Sequence, residues 1–570
     1  MIRTGGSMAL KLTEGEGSRQ GSLAVLDDPA IAAVHVRPPQ KSGVVERFES
    51  TDPKPGRDLA RIPLIGRVLK NRKFQFFLIL PNQIIFWIVI VSGLVGTLVP
   101  GKNFGTAITW FIWFCMVFVT MLVVGRAWCS MCPFGGFGEW VQRRALWRRA
   151  SKSVGLGWKL PESWAGYGLL ISTGVFLFLT WVEEYFNIAG PGTPSYTSWM
   201  VVGIVTVALG SFLLFERRTF CRYICPLSSL IGSVGASGMV AGFRTRDREK
   251  CLACATKDCM RGGENGYGCP WYTWPGSADS NLLCGLCSEC YKSCPEDNVG
   301  LFVQAPLTSA IAPKRRRLDV AWAIAVLFGL VLYQQVNVFD LYSQVEGWFN
   351  SWMHFPHYPN PLVYLGFIFG ATAVLAGLVW VLWKAFGLRS PGGSQVAGGS
   401  LAGDPAGSDR ALVPAGTSSS ASGSSATATA TLTAQSTPKV SSVSQTAWRE
   451  WFMPIMYGFV PVMASDYLAR QLPKFFFNAL DVIQSVVGPF GFHSSLYGHQ
   501  MLSATGVVRV QLGVVAAGTA GSLYTMWRIG HREFPRLTAH PAAVRVLASA
   551  IVIATGAIAF VLYIGMHAAP

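Results

Sequence analysis

Charge is scarce in this chain. Asp, Glu, Lys and Arg make up 14% of its 570 residues, against 51% apolar residues, too little charge for a string of soluble domains. No CxxCH occurs, and no GxGxxG is placed for a dinucleotide, so neither c-type haem nor a nicotinamide or flavin dinucleotide is expected. No short charged-then-apolar leader precedes the first long apolar block, so a cleaved signal peptide is not expected. Two loops, Tyr185–Ser198 and Asp340–Pro361, lack Lys and Arg altogether. The stretch 389–447 is nearly without bulky side chains, being Gly, Ser, Ala and Thr (Ser418–Ser425 reads SSSASGSS), and has nothing to bury.

What the chain does have is long apolar blocks. A helix needs ~20 apolar residues to cross the hydrocarbon layer. Candidate blocks run Phe76–Leu98, Ala107–Val124, Tyr167–Trp181, Met200–Phe215, Val320–Val338, Leu362–Trp383, Phe452–Leu468, Val507–Met526 and Val546–Ile564. They predict an all-α polytopic membrane protein with about nine transmembrane helices. The formal charge of +17 would suit nucleic acid, but its placement does not. Arg126, Arg143, Arg144, Arg148, Arg149 and Lys152 follow the second block, Arg217, Arg218 and Arg222 the fourth, and Lys314–Arg317 precede the fifth. Basic residues on alternate loops are the positive-inside pattern, which puts those loops on the cytoplasmic side in contact with membrane lipid, with no nucleic-acid partner.

The expected organisation is a low-order cytoplasmic tail at 1–74, ending in a basic run (Arg61, Arg67, Lys70, Arg72, Lys73) suited to an anionic inner surface. A four-helix membrane repeat follows at 75–242. Its halves close on Arg126-x2-Cys129-x2-Cys132-Pro133 and Arg218-x2-Cys221-x3-Cys225-Pro226, and duplicated units of this kind pack against each other. A small α+β ferredoxin-like insert occupies 243–300, two further transmembrane helices 301–388, the linker 389–447, and the C-terminal transmembrane helices 448–570.

Cysteine carries the chemistry. The run Cys284-x2-Cys287-x2-Cys290-x3-Cys294-Pro295 has the bacterial ferredoxin spacing for a [4Fe–4S] cluster, in which the fourth cysteine serves the other cluster of a pair. The preceding run is Cys251-x2-Cys254-x4-Cys259, then Cys269-Pro270. Crossing the fourth ligands predicts one cluster on Cys251, Cys254, Cys259 and Cys294, and a second on Cys284, Cys287, Cys290 and Cys269. Zinc also takes four cysteines, and disulfides are disfavoured on a reducing face. Cys129, Cys132, Cys221 and Cys225 are open to three readings: a further metal or cluster, dithiols with pKa lowered by Arg126 and Arg218, or local structure.

Together these features resemble the NosR/NapH family of polytopic membrane [4Fe–4S] electron-transfer proteins. The resemblance rests on GRAWCSMCPFGGFG (Gly125–Gly138), RRTFCRYICPLSSL (Arg217–Leu230) and the two cluster runs, across about residues 76–300. CcoG-like proteins are more distant relatives. The resemblance implies two clusters on the cytoplasmic side of a bacterial inner membrane. It also implies electrons drawn from a quinone pool or cytoplasmic donor, and a partner respiratory reductase or its maturation machinery. Family members carry two C-x3-C-P motifs; Cys221/Cys225 fits, and Cys129/Cys132 is one residue short.

Weaker candidates are His354 and His357, then His493 and His499, for a metal; Asp466 and Arg509 as an intramembrane pair; and Glu183 and Glu184 as acceptors of quinol protons. Cys115 reads as packing. The leading expectation is an iron–sulfur relay, possessing the parts of a quinol dehydrogenase-type oxidoreductase component. The rival is an assembly factor that binds or reduces copper for a respiratory enzyme.

Overall fold

The computed structural model describes residues 45–47, 56–146, 155–161, 164, 166–188, 190, 192–278, 282–312, 315–387 and 447–568. The linker expected at 389–447 lies outside them except for Ala447, as do Arg148, Arg149, Lys152 and Lys314.

Among the described residues, seven helices are long and apolar enough to cross a membrane: Phe74–Val95, Phe104–Arg143, Pro194–Leu214, Leu318–Val336, Pro361–Phe386, Ala504–Leu537 and Pro541–Met566. Helices also form at the other two expected crossings, but their composition falls short. Gly168–Tyr185 closes on Glu183 and Glu184. The C-terminal one is divided at Phe459 into Trp448–Gly458 and Val460–Asn478, and its second half carries Asp466, Arg470 and Lys474. Seven of the nine expected crossings meet this criterion among the described residues, and ionisable residues mark the other two.

Leu318–Val336 forms the centre. Ala323, Ile324, Ala325, Leu327 and Leu330 are fully buried on several sides of it, as a helix surrounded by other helices requires. Gly329 lets Pro361–Phe386 approach closely: a Cβ there would stand 2.6 Å from the Ile368 carbonyl oxygen. Tyrosine hydroxyls tie neighbours to backbone carbonyls, Tyr467 to Leu327 and Tyr364 to Leu177, each at 2.9 Å. The C-terminal helices belong to the same core, with Trp451, Phe452 and Met453 fully buried. The 389–447 stretch separates them in sequence only.

Beside the helices lies a three-stranded antiparallel sheet in the order Arg57–Asp58, Val299–Val303, Val240–Thr245. Residues 56–74, expected to be part of a low-order tail, are built into this unit. The Asp58 carboxylate accepts from Ala60 N (2.9 Å), Leu301 N (3.1 Å) and Arg246 Nε (2.8 Å). Helix Pro63–Lys70 then turns Gly66 and Leu69 inward and feeds the first long helix. One buried carboxylate thus gathers three segments remote in sequence. The remainder of the expected tail lies outside the described residues apart from Val45–Arg47, which pairs antiparallel with Arg315–Arg317.

Candidate functional site

Thirteen cysteines are present and none is in a disulfide. Cys251 lies on helix Arg248–Ala253, which is capped by the Asp247 carboxylate, and Cys254 ends it. Cys259 lies on the short helix Asp258–Arg261 and Cys294 ends Glu289–Ser293. The fold brings these four to one recess, lined also by Trp274 and Asn298. The Cys251 thiol donates to Thr245 Oγ1 at 3.0 Å, and Asn298 donates its backbone N–H to Cys294 Sγ (3.3 Å) and its side-chain amide to Cys251 Sγ (3.4 Å). Burial, with Cys294, Cys251, Cys269 and Cys254 close by, pushes the Cys259 thiol up to about 12.

The loop carrying Cys284 and Cys287 holds Leu286 and Ser288 in the left-handed region, at φ 51° and 62°. Such alternation turns successive amides towards one point, a concavity suited to an anion. Accordingly the Cys284 sulfur accepts from the N–H groups of Phe243 and Leu286, and Cys287 from that of Glu289. Cys269 joins them, its own sulfur accepting from Thr273 and Trp271. Burial, and then Cys269, Cys284 and Cys287, raises Cys290 well above the usual thiol range. Thiols held this high release protons on binding a metal centre. Sulfurs supplied with backbone donors fit iron–sulfur ligation, where such bonds tune the centre. Among the described residues, no three His, Cys, Asp or Glu side chains converge closely enough to hold a single metal ion.

The third set comes from the membrane repeat. Cys132 and Cys225 share one backbone conformation (φ/ψ −65°/125° and −52°/123°), because the following proline excludes the helical region from each. The one-residue difference between the halves is absorbed by a π-turn over Phe220–Ile224, closed by Cys225 N to Phe220 O at 2.7 Å. An inserted residue in a helix produces this kind of bulge. Cys129, Cys221 and Cys225 pack with Cys269 and Trp271, so the repeat set abuts the insert. Arg126 and Arg218 both stand over the Trp271 ring, at 5.0 and 5.9 Å. At Cys221 burial outweighs Arg218 and pushes the thiol up to about 12; burial, with Cys221, Cys132 and Cys129 close by, raises Cys225 well above the thiol range.

The remaining candidates separate. His354, His357, His493 and His499 are exposed. Asp466 does not meet Arg509: it is buried, accepting from Gln335 Nε2, while Arg509 is exposed near the start of its helix. Cys115 is packed in the core. Glu183 and Glu184 line a cavity of about 560 Å3 with Tyr333, Arg470 and Lys474, where Tyr333 donates to Glu184 at 2.7 Å. Trp271 and Glu139, central to the site, were not singled out by the sequence. The regular offsets within the repeat were the available signal for Glu139.

A family model described as a 4Fe-4S binding domain matches residues 106–153 and 197–236. Those segments hold Cys129 and Cys132, and Cys221 and Cys225, and stop short of Cys251. No curated protein and no solved structure is a significant match to the chain. The family match and the seven long apolar helices together support a membrane iron–sulfur electron-transfer protein.

Proposed function

We propose that the chain relays electrons through two [4Fe–4S] clusters in its insert, one on Cys251, Cys254, Cys259 and Cys294, the other on Cys269, Cys284, Cys287 and Cys290. Such clusters, when bound, supply one-electron chemistry at potentials set by charge, hydrogen bonds and exposure. The protein's own part is to hold the two sets against each other, Cys259 lying beside Cys269 and Cys290, and to press the inner set onto the repeat through Trp271. Cys129, Cys132, Cys221 and Cys225 form a further redox or metal site at the membrane end. The observation that carries the reading is the gathering of eight cysteines into two groups, with backbone amides on the sulfurs of Cys269, Cys284, Cys287 and Cys294, next to segments matching a 4Fe-4S binding domain.

The cysteine end carries the arginines that follow the second and fourth apolar blocks, which supports a cytoplasmic placement in a bacterial inner membrane crossed about nine times. A quinone pool or a cytoplasmic donor would sit at one end of the relay, and a respiratory reductase at the other. The acidic and aromatic cavity around Glu184 and Tyr333 is of a size that takes small organic ligands.

Low-temperature EPR on anaerobically purified protein, with iron and sulfide counted, tests this. The expectation is reducible cubane signals and at least about eight irons per chain. A colourless preparation, or one loaded with zinc, would end the proposal. Copper held by Cys221 and Cys225 would instead favour the assembly-factor reading.

A further inference from the structure

The C-terminal helix pair, Ala504–Leu537 and Pro541–Met566, carries a charge that the relay does not use. Its one acid is Glu533, and that carboxylate is held by Arg316 at 2.7 Å. Among the described residues, no carboxylate pairs with Arg528, Arg532, Arg536 or Arg545. Two of these arginines stand where the apolar stretches stop. No residue between Arg509 and Arg528 is charged, nor is any between Arg545 and Met566. Each stretch is about the length that crosses the hydrocarbon layer, so both guanidiniums lie at one boundary of it. The Arg316–Glu533 bond sets that boundary beside Arg315–Arg317, at the cysteine end of the molecule.

A groove of about 480 Å3 opens between the two helices at this level. Tyr524, Trp527, Val546 and Ile553 wall it, and the small side chains of Ser549 and Ala550 leave its space. The four larger residues are about half exposed, so the groove faces away from the core. From Val546 to Ile553 it follows two helical turns, about 10 Å.

The boundary end of the groove is cationic. Arg545 stands 5.1 Å from the Trp527 ring and Arg528 6.0 Å from that of Tyr524. Arg545 is seated against Gly530, where a Cβ would stand 2.4 Å from its Cγ, and it donates from Nη1 to His531 Nδ1 at 2.8 Å. With Nδ1 accepting, His531 keeps its proton on Nε2 as a further donor. The Arg545 Nε is buried without a hydrogen-bond partner.

An apolar trough that starts at two guanidiniums matches a phospholipid in both shape and charge. Basic pockets between membrane helices take anionic headgroups, and the guanidinium fork suits phosphate. A second copy of the chain, itself at +17, does not offer that charge. We infer that the groove holds one anionic phospholipid from the leaflet at the cysteine end. Its phosphate meets Arg545, Arg528 and His531, and one acyl chain lies along Val546–Ile553. The lipid supplies the charge that the helix pair lacks and fills the seam between its members. Nothing in this depends on the clusters.

The test gives the full chain, in detergent micelles, equal amounts of phosphatidylglycerol and phosphatidylcholine with matched chains. Retained lipid is counted by native mass spectrometry. The parent should keep one phosphatidylglycerol per chain and unfold at a higher temperature in that lipid than in phosphatidylcholine. Each surface arginine is worth about fivefold, so Arg528→Gln with Arg545→Gln should reduce the preference on the order of thirtyfold. Ala550→Trp, which fills the groove, should release the lipid. Glycerol phosphate, with the charge and no chain, should not displace it. The preference of the parent is read without any variant and so holds whether or not Ala550→Trp folds. Equal retention of the two lipids by the parent, or an unchanged preference in the double arginine variant, would overturn the inference. Displacement by glycerol phosphate would overturn it in favour of a free phosphate, and chains paired through the groove without lipid in favour of a second copy. Iron is read in no arm, so failure here leaves the relay standing.

Discussion

The insert and the membrane repeat both gather cysteines, but by opposite means. In the insert, eight cysteines fall within residues 251–294, and their sulfurs take hydrogen bonds largely from their own loops. In the repeat, four come from two segments that a full pair of helices separates, and their surroundings are buried arginines, glycines and one indole. A local loop encodes its ligand geometry in spacing. A site assembled by helices encodes it in packing and depends on the entire membrane core. Damage to the insert should therefore cost metal, and damage to the repeat should cost the fold.

The largest effect expected from that contrast is in the insert. Cys287→Ala should remove the inner centre outright, lowering iron by about four per chain, while the protein still inserts and purifies as a monodisperse membrane protein. Unchanged iron and an unaltered reduced-cluster resonance would refute the ligand assignment. In the repeat, Glu139→Gln should cost stability instead. Glu139 is 2% exposed and lies between Arg218 and Arg143, so its loss strands buried cations, a change of about 3–5 kcal/mol. Thermal unfolding in detergent should show it, and the double variant Glu139→Gln, Arg218→Met should recover much of the loss. Equal stability of Glu139→Gln and parent would mean the repeat is less tightly coupled than its burial indicates.

The same contrast explains what the sequence disclosed. The cysteine runs are short-range patterns, and so are the apolar blocks; helices formed at each block. Asp466, Arg470 and Lys474 already marked one block as atypical. The repeat too was visible, yet its consequences were not. Thiols acidified by Arg126 and Arg218 are one of three readings the sequence leaves open; burial of Cys221 and Cys225 works against it, and depth is a property of packing. The missing residue between Cys129 and Cys132 looked like a defect in the motif. A π-turn in the other half cancels it, and backbone bulges leave no compositional trace. Trp271 lies in the insert and acts in the repeat, a juxtaposition no spacing encodes. The folding of residues 56–74 depends on Asp58 reaching Arg246 and Leu301, partners more than a hundred residues away.

Within the insert, charge pairs should then rank by burial. Asp58 is 5% exposed and accepts from two backbone amides and Arg246. Asp58→Asn should cost about 2 kcal/mol, the range for hydrogen bonds to a charged group. A mutant as stable as the parent would return residues 56–74 to a marginal role in the fold.

Asp297 is the weak end of the series. It pairs with Lys70 at 2.9 Å, but the two side chains are 58% and 52% exposed, so solvent screens them and Asp297→Asn should cost only about 0.2–1 kcal/mol. Its hydrogen bond and attraction to Lys70 hold the Asp297 carboxyl below its ordinary value despite burial, and the same bond raises Lys70. The signs follow. The Asp297 contribution is present above the unfolded carboxyl pKa of about 3.9 and is lost as pH falls through the lowered folded value. The Lys70 contribution is complete below about 10.4 and is lost as pH rises through the raised one. The difference in stability between parent and Asp297→Asn should thus be flat near neutrality, shrink at both extremes, and diminish in high salt. A salt-insensitive loss comparable to that of Glu139→Gln would show that exposure does not separate the two regions.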